Sequence, residues 1–273
     1  MRRALIFILT LAVAAPLWAA ETASKDLPPN AQSAVAALEK SPRHGEWVQV
    51  PVAGGTPVHT WVVYPESATK APVVIVIHEI FGLTDWVRSV ADRLAAEGFI
   101  AIAPDLLSGK GPDGGGTDAL KGHQDAVKLV SALDENEVIA RLNAVRDYGL
   151  GLPAAAAHSA SIGFCWGGKT SFAWAAAQPA LDAAVVYYGT PPPDLSGVKA
   201  AVLGLYGGAD QRVTATVQKT GEEMKKLGKS YESHVFDGAG HGFLRQQEAR
   251  KENMKAASES WPMAVAFLRD HTR

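Results

Sequence analysis

Three residue types that cooperate in acyl chemistry stand at suggestive places in this chain. Cys165 sits inside Gly163-Phe164-Cys165-Trp166-Gly167, Asp210 closes Tyr206-Gly207-Gly208-Ala209-Asp210, and His241 lies inside Asp237-Gly238-Ala239-Gly240-His241-Gly242-Phe243. A thiol becomes a nucleophile when a base takes its proton, and a histidine serves best as that base when a carboxylate orients its ring and stabilises the imidazolium. Glycines two before and two after Cys165 suit a sharp strand-to-helix turn in which the two backbones crowd together. A helix starting just after Cys165 would point its N-terminus at the sulfur, which predicts a shift toward thiolate. In this arrangement Cys165 attacks a carbonyl carbon, His241 removes the thiol proton and later protonates the leaving oxygen, and Asp210 holds the imidazole.

The elements that must position these residues are legible in the hydrophobic pattern. Val48–Val50 and Val58–Tyr64 read as two strands joined across Ala53-Gly54-Gly55, an antiparallel hairpin. The unbroken run Val73-Val74-Ile75-Val76-Ile77 suits a strand buried on both faces of a parallel sheet. Thr84 to Glu97 carries Val87, Val90 and Leu94 on one helical face, with Thr84 as N-cap and Gly98 as C-cap. Phe99–Ala103 is the next strand. The segment 105–118 is too rich in glycine for a regular element, and a loop of that length within a compact domain is usually functional.

The region from Ala126 to Tyr148 reads as helical, with a break and recap at Leu133-Asp134-Glu135-Asn136. Strands then follow at Ser159–Phe164, Ala183–Tyr188, Ala200–Tyr206 and Tyr231–Phe236, with helices across Gly168–Gln178, Thr214–Leu227 and Lys251–Arg269. Alternating strands and helices predict an α/β fold, a mostly parallel central sheet with helices on both faces. All three chemical residues then fall at carboxyl ends of strands, where such sheets bind ligands. Their chain order of nucleophile, acid and histidine is that of α/β-hydrolases.

Composition bounds the remaining possibilities. The chain has 273 residues, 47% hydrophobic and 20% charged, with a net charge of −2, which is globular and gives no reason to expect nucleic acid or an anionic membrane surface. Arg2-Arg3, the apolar run Ala4–Leu17 and the small residues Ala19-Ala20 form the three-part pattern of a secretory signal. Residues 1–20 are therefore expected to be a signal peptide, 21–45 a polar N-terminal arm, and 46–273 the hydrolase domain of an exported, periplasmic or secreted protein. With a single Cys, no internal disulfide can form and no second thiol is present for a redox cycle. His78-Glu79 has no second His at position 82, so the zinc pattern HExxH fails, and no metal or cofactor is expected. His44, His59, His123, His158, His234 and His271 lack an acid or glycine context and read as surface or core residues.

These segments resemble the dienelactone hydrolase family. The matching pieces are His78-Glu79-Ile80-Phe81-Gly82, Pro104-Asp105-Leu106, Gly163-Phe164-Cys165-Trp166-Gly167-Gly168, Tyr187-Tyr188-Gly189, Gly207–Asp210 and Gly240-His241-Gly242-Phe243, in family order across roughly residues 46–270. The resemblance implies that Glu79 contacts the resting thiol and helps generate thiolate when substrate binds, so the resting thiol is expected to be buried or neutral. It also implies an oxyanion hole from the backbone N–H groups of Ile80 and Trp166. Dienelactone-specific members grip the substrate carboxylate with two arginines. Arg245 matches one; where the other would fall this chain has Leu107-Ser108-Gly109-Lys110, and a flexible Lys110 does not reproduce a bidentate fork. Dienelactone itself is therefore not the expected substrate.

The expected function is hydrolysis of a small ester or lactone through a Cys165 acyl-enzyme, with Phe81, Trp86, Trp166 and Phe243 near the site. Two alternatives stand beside it: a thioesterase or acyltransferase on the same triad, and a non-catalytic exported binding protein of the same fold. The expected partner is a small molecule, and the mature chain is expected to be a monomer without stable membrane insertion.

Overall fold

A computed structural model describes residues 27–273. The expected signal segment and the first residues of the arm lie outside the described residues. Eight strands form one sheet in the order β1-β2-β4-β3-β5-β6-β7-β8. They are β1 (Gly45–Val50), β2 (Val58–Val63), β3 (Ala71–Ile77), β4 (Ile100–Pro104), β5 (Ala155–Phe164), β6 (Ala183–Tyr187), β7 (Ala201–Gly207) and β8 (Tyr231–Phe236). β1 and β2 form the expected antiparallel hairpin, and β2 also runs antiparallel to β4. From β4 through β8 every neighbouring pair is parallel.

The β-branched run in β3 is buried along its length, and its alternate side chains feed two separate cores. Val74 and Val76 face a cluster completed by Val87, Val90 and Leu94 of α2 (Asp85–Ala96) and by Trp261 and Val265 of α8 (Lys251–His271). Val73, Ile75 and Ile77 face the opposite cluster. It contains Leu142 and Val145 of α4 (Glu135–Leu150), Phe172 and Trp174 of α5 (Trp166–Ala177), and Met224 of α7 (Val217–Lys226). Both faces of the sheet are thus covered, as unbroken apolar strands require.

The break expected near residue 134 separates α3 (His123–Ser131) from α4, and the Asp134 carboxylate caps α4 by accepting the Glu137 N–H at 2.9 Å. Thr84 stands at the N-cap of α2 but makes no side-chain cap bond; its hydroxyl is buried without a partner. The helix expected over Thr214–Leu227 is split into α6 (Gln211–Thr214) and α7. α1 (Ala34–Glu39), in the arm, was not legible as a helix. The arm is pinned to the body: Trp86 Nε1–H and Gln247 Nε2–H donate to the Pro29 and Pro28 carbonyls at 3.0 and 2.8 Å. Among the described residues, no helix is long and apolar enough to cross a membrane.

The glycine-rich segment after β4 holds only short 3₁₀ turns, Pro112–Gly114 and Thr117–Ala119, yet it is firmly anchored. The Asp105 carboxylate accepts from the Thr117 N–H and hydroxyl and from the Leu107 N–H, at 2.6, 2.7 and 3.0 Å. Arg141, 2% exposed, donates to the Leu106 and Ser108 carbonyls at 3.0 and 2.9 Å. Arg141→Leu should therefore cost about 3 kcal/mol, because two buried carbonyls lose a charged donor. Urea denaturation at pH 7 measures this; a loss below about 1 kcal/mol would show that the loop holds without Arg141.

Candidate active site

The turn between β5 and α5 places Cys165 where the sequence pattern expects it. Cys165 has φ 57° and ψ −115°, a left-handed conformation that costs energy for a side-chain-bearing residue and is tolerated where surrounding structure enforces it. Two glycines allow the enforcement. A Cβ on Gly163 would lie 2.0 Å from the Gly167 carbonyl oxygen, and one on Gly167 would lie 2.3 Å from the Ile77 and His78 carbonyl oxygens. The Cys165 N–H donates to the Tyr187 carbonyl at 3.1 Å, which ties the turn to β6.

His241 and Asp210 meet across the loops following β8 and β7. His241 Nδ1–H donates to Asp210 Oδ2 at 2.5 Å, the Asp210 side chain being 9% exposed and that of His241 35%. The loops are stitched together by Gly208 N–H to the Phe236 carbonyl and Ala209 N–H to the Ala239 carbonyl, at 2.8 and 2.9 Å. Asn253 on α8, buried, accepts the Gly240 N–H at 2.9 Å and donates to the Gln246 carbonyl at 2.9 Å, so it bridges both sides of the His241 turn. Nothing in the sequence around Asn253 marked it. Tyr188 was quoted in a family segment without a role; its ring lies 5.1 Å from that of His241, and its hydroxyl is buried without a partner.

Glu79 and Arg245 come together beneath Cys165. Glu79 is 3% exposed, and its Oε2 lies 3.1 Å from Arg245 Nε without the alignment of a hydrogen bond, so the attraction is coulombic. Burial pushes the Glu79 carboxyl up to about 7, against the opposing pull of Arg245. Arg245 also stands 5.2 Å over the Phe81 ring, and its carbonyl accepts the Ala31 N–H at 3.1 Å.

The shift toward thiolate expected from the helix start does not prevail; the buried, neutral resting thiol expected from the Glu79 match does. The Trp166 and Ile80 N–H groups do face the sulfur and favour thiolate, as does Arg212 from α6. Burial and the neighbouring Glu79 carboxylate outweigh them, and the thiol is held above its ordinary range. The start of α5 does not win because desolvation penalises the charged form throughout the site. Among the described residues no hydrogen bond joins the thiol to His241, whose only polar side-chain contact is Asp210.

The remaining expectations divide. Lys110 is paired with Glu137 at 2.8 Å and is not a free second cation. Trp86 and Phe243 are core residues, 2% and 0% exposed. Trp166 stacks on His78, and Phe81 lines a cleft of about 470 Å³ with Trp47, His59, Leu120 and His123. Cys165 and His241 do not line that cleft. Its Leu120 and Ala126 pack in one cluster with Ile80 and Trp166, whose N–H groups face the Cys165 sulfur.

Comparison with known proteins bears on the family. The sequence profile described as the dienelactone hydrolase family matches residues 58–272. A Methylorubrum extorquens protein is 33% identical over 211 residues, covering 72% of this chain and 71% of its own length. An Escherichia coli O157:H7 protein is 34% identical over 222 residues, covering 76% and 79%. Both are named "Putative carboxymethylenebutenolidase". The crystal structure of a Klebsiella pneumoniae protein named "Putative Dienelactone Hydrolase" is similar with a TM-score of 0.72 and 28% identity, covering 83% of this chain and 98% of its own.

Because the Glu79 charge raises the thiol, Glu79→Gln should lower the midpoint of Cys165 alkylation by iodoacetamide and speed the reaction at neutral pH. The pH profile of the alkylation rate for both proteins checks this. A midpoint unchanged or raised in the variant would mean that Glu79 does not govern the thiol.

Proposed function

Since this chain belongs to the dienelactone hydrolase family, we propose that its hydrolase activity proceeds through a Cys165 acyl-enzyme on a small ester or lactone. The observation that carries the reading is convergence: a strained turn presenting Cys165, a His241–Asp210 pair at 2.5 Å, and two backbone N–H groups facing the sulfur.

In the proposed sequence His241 accepts the Cys165 thiol proton, the Glu79 carboxylate assisting its departure, and the thiolate attacks the substrate carbonyl. The oxygen takes up negative charge and accepts hydrogen bonds from the Ile80 and Trp166 N–H groups. The intermediate collapses, the carbon–oxygen bond to the alcohol breaks, and His241 protonates the departing oxygen. A water then attacks the thioester while His241 accepts its proton; breakdown releases the acid and restores the thiol. Asp210 keeps the imidazole oriented and stabilises its cation through both halves.

Glu79 assists only as the anion. Its carboxyl is raised to about 7, so the assisting form grows in as pH rises through neutrality. Arg245 opposes that rise, and anything that draws it from Glu79 makes the carboxylate a stronger base for the thiol proton. The ring-lined cleft beside Phe81 favours a small ester or lactone that carries an apolar or aromatic portion. The N-terminal charge and apolar pattern supports an exported protein acting in the periplasm.

Hydrolysis of p-nitrophenyl acetate and of a small lactone panel tests the reading. Cys165→Ala should abolish turnover, and Asp210→Asn should lower kcat by about 10³ to 10⁴. The wild-type kcat/KM should rise through about pH 7, and this limb should vanish in Glu79→Gln. Substantial activity in folded Cys165→Ala would overturn the proposal, and a folded, reduced wild type inert toward every acyl substrate would favour the binding-protein alternative.

A further inference from the structure

His78 takes no part in the proton transfers above, yet it touches Trp166 and the Glu79 carbonyl, whose peptide unit carries the Ile80 N–H. Its ring is fully buried. Nδ1–H donates to the Glu79 carbonyl at 2.7 Å, and Nε2 accepts the Leu106 N–H at 3.3 Å. These two contacts specify the tautomer. Burial holds the ring below its ordinary range despite the nearby Asp105 carboxylate, so the imidazole stays neutral and Nε2 stays an acceptor.

A trans peptide unit is planar, and its C=O and N–H point in opposite directions. Fixing the Glu79 carbonyl on one side therefore aims the Ile80 N–H to the other, toward Cys165. The Gly82 N–H reaches the same carbonyl at 3.2 Å, so a tight turn and the imidazole grip it together. The His78 ring also stacks on Trp166, with centroids 5.4 Å apart and planes 17° apart. Its own carbonyl lies where any Cβ on Gly167 would collide. Leu106, which fixes Nε2, is itself held through its carbonyl by buried Arg141 at 3.0 Å.

We propose that His78 is a positioning residue for the oxyanion site: it fixes the plane of the Glu79–Ile80 peptide and braces Trp166, so that two N–H groups converge on one oxygen. The inference rests on the Cys165 acyl-enzyme reading. It assigns the buried residue a role separate from proton transfer, nucleophilic attack or substrate grip.

Replacement series at position 78 test it, with p-nitrophenyl acetate as substrate and thermal melting as the check on folding. Asparagine places an amide N–H where Nδ1–H stands, glutamine places it near Nε2, and leucine keeps bulk without polarity. H78N should keep kcat within about threefold of wild type, while H78Q and H78L should lose about 10- to 100-fold in kcat with KM little changed. Equal kcat in folded H78N and H78L overturns the proposal, as does a loss confined to KM. Should H78L fail to fold, the comparison of H78N with H78Q decides on the same terms. Cys165→Ala, assayed alongside, separates the two levels. If it stays active, the acyl-enzyme reading itself fails; if it is dead while H78Q and H78L match wild type, only the role of His78 fails.

Discussion

The contact on which the rest depends is a backbone-to-backbone approach: the start of α5 lies directly against the carbonyls at the end of β3. No side chain fits at Gly167, where a Cβ would stand 2.3 Å from the Ile77 and His78 carbonyl oxygens. This approach brings the turn carrying Cys165 beside the turn carrying Glu79 and Ile80, which derive from different strands. It also holds Cys165 at φ 57°, because the chain must leave β5 and enter α5 within a single residue. Strain of this kind persists only where surrounding packing over-determines it. Here the packing comes from two apolar clusters, one on each face of the sheet.

Around that joint, electrostatics run against immediate reactivity. Helix geometry and two peptide N–H groups favour a thiolate, but burial and the Glu79 carboxylate favour the thiol, and the latter prevail. Glu79 is itself buried beyond what a lone carboxylate tolerates, and Arg245 supplies the compensating charge. The three groups form a balance in which the state of one sets the others. On the proposed mechanism this balance shifts when substrate enters, so chemistry is coupled to occupancy.

Much of this was legible in the sequence for definite reasons. An unbroken β-branched run can only be a doubly covered strand, and the glycine spacing around Cys165 has few uses apart from a crowded turn. The Asp134 cap announced itself through residue type alone. Tertiary facts were less accessible. The Glu79 match pointed to a neutral resting thiol, but how deeply Cys165 and Glu79 are buried, which sets the balance, no local pattern encodes. Asn253 reaches the His241 turn from a helix start twelve positions later in the chain, through a contact formed only when α8 docks. Trp86 and Phe243 looked like site residues because they neighbour site residues in sequence, but the phase of α2 and the turn after His241 place them in the core. α1 has only six residues and packs on α2, too short a stretch for local periodicity to show.

The neutral thiol has a consequence for durability. Peroxides attack thiolates far faster than thiols, and the first product, a sulfenic acid, is rescued most readily by a neighbouring thiol. This chain has no second cysteine to perform that rescue. Holding Cys165 protonated and partly buried therefore protects the one thiol, which the chain cannot repair by itself. The same desolvation that restrains the thiol is its defence against chemical ageing.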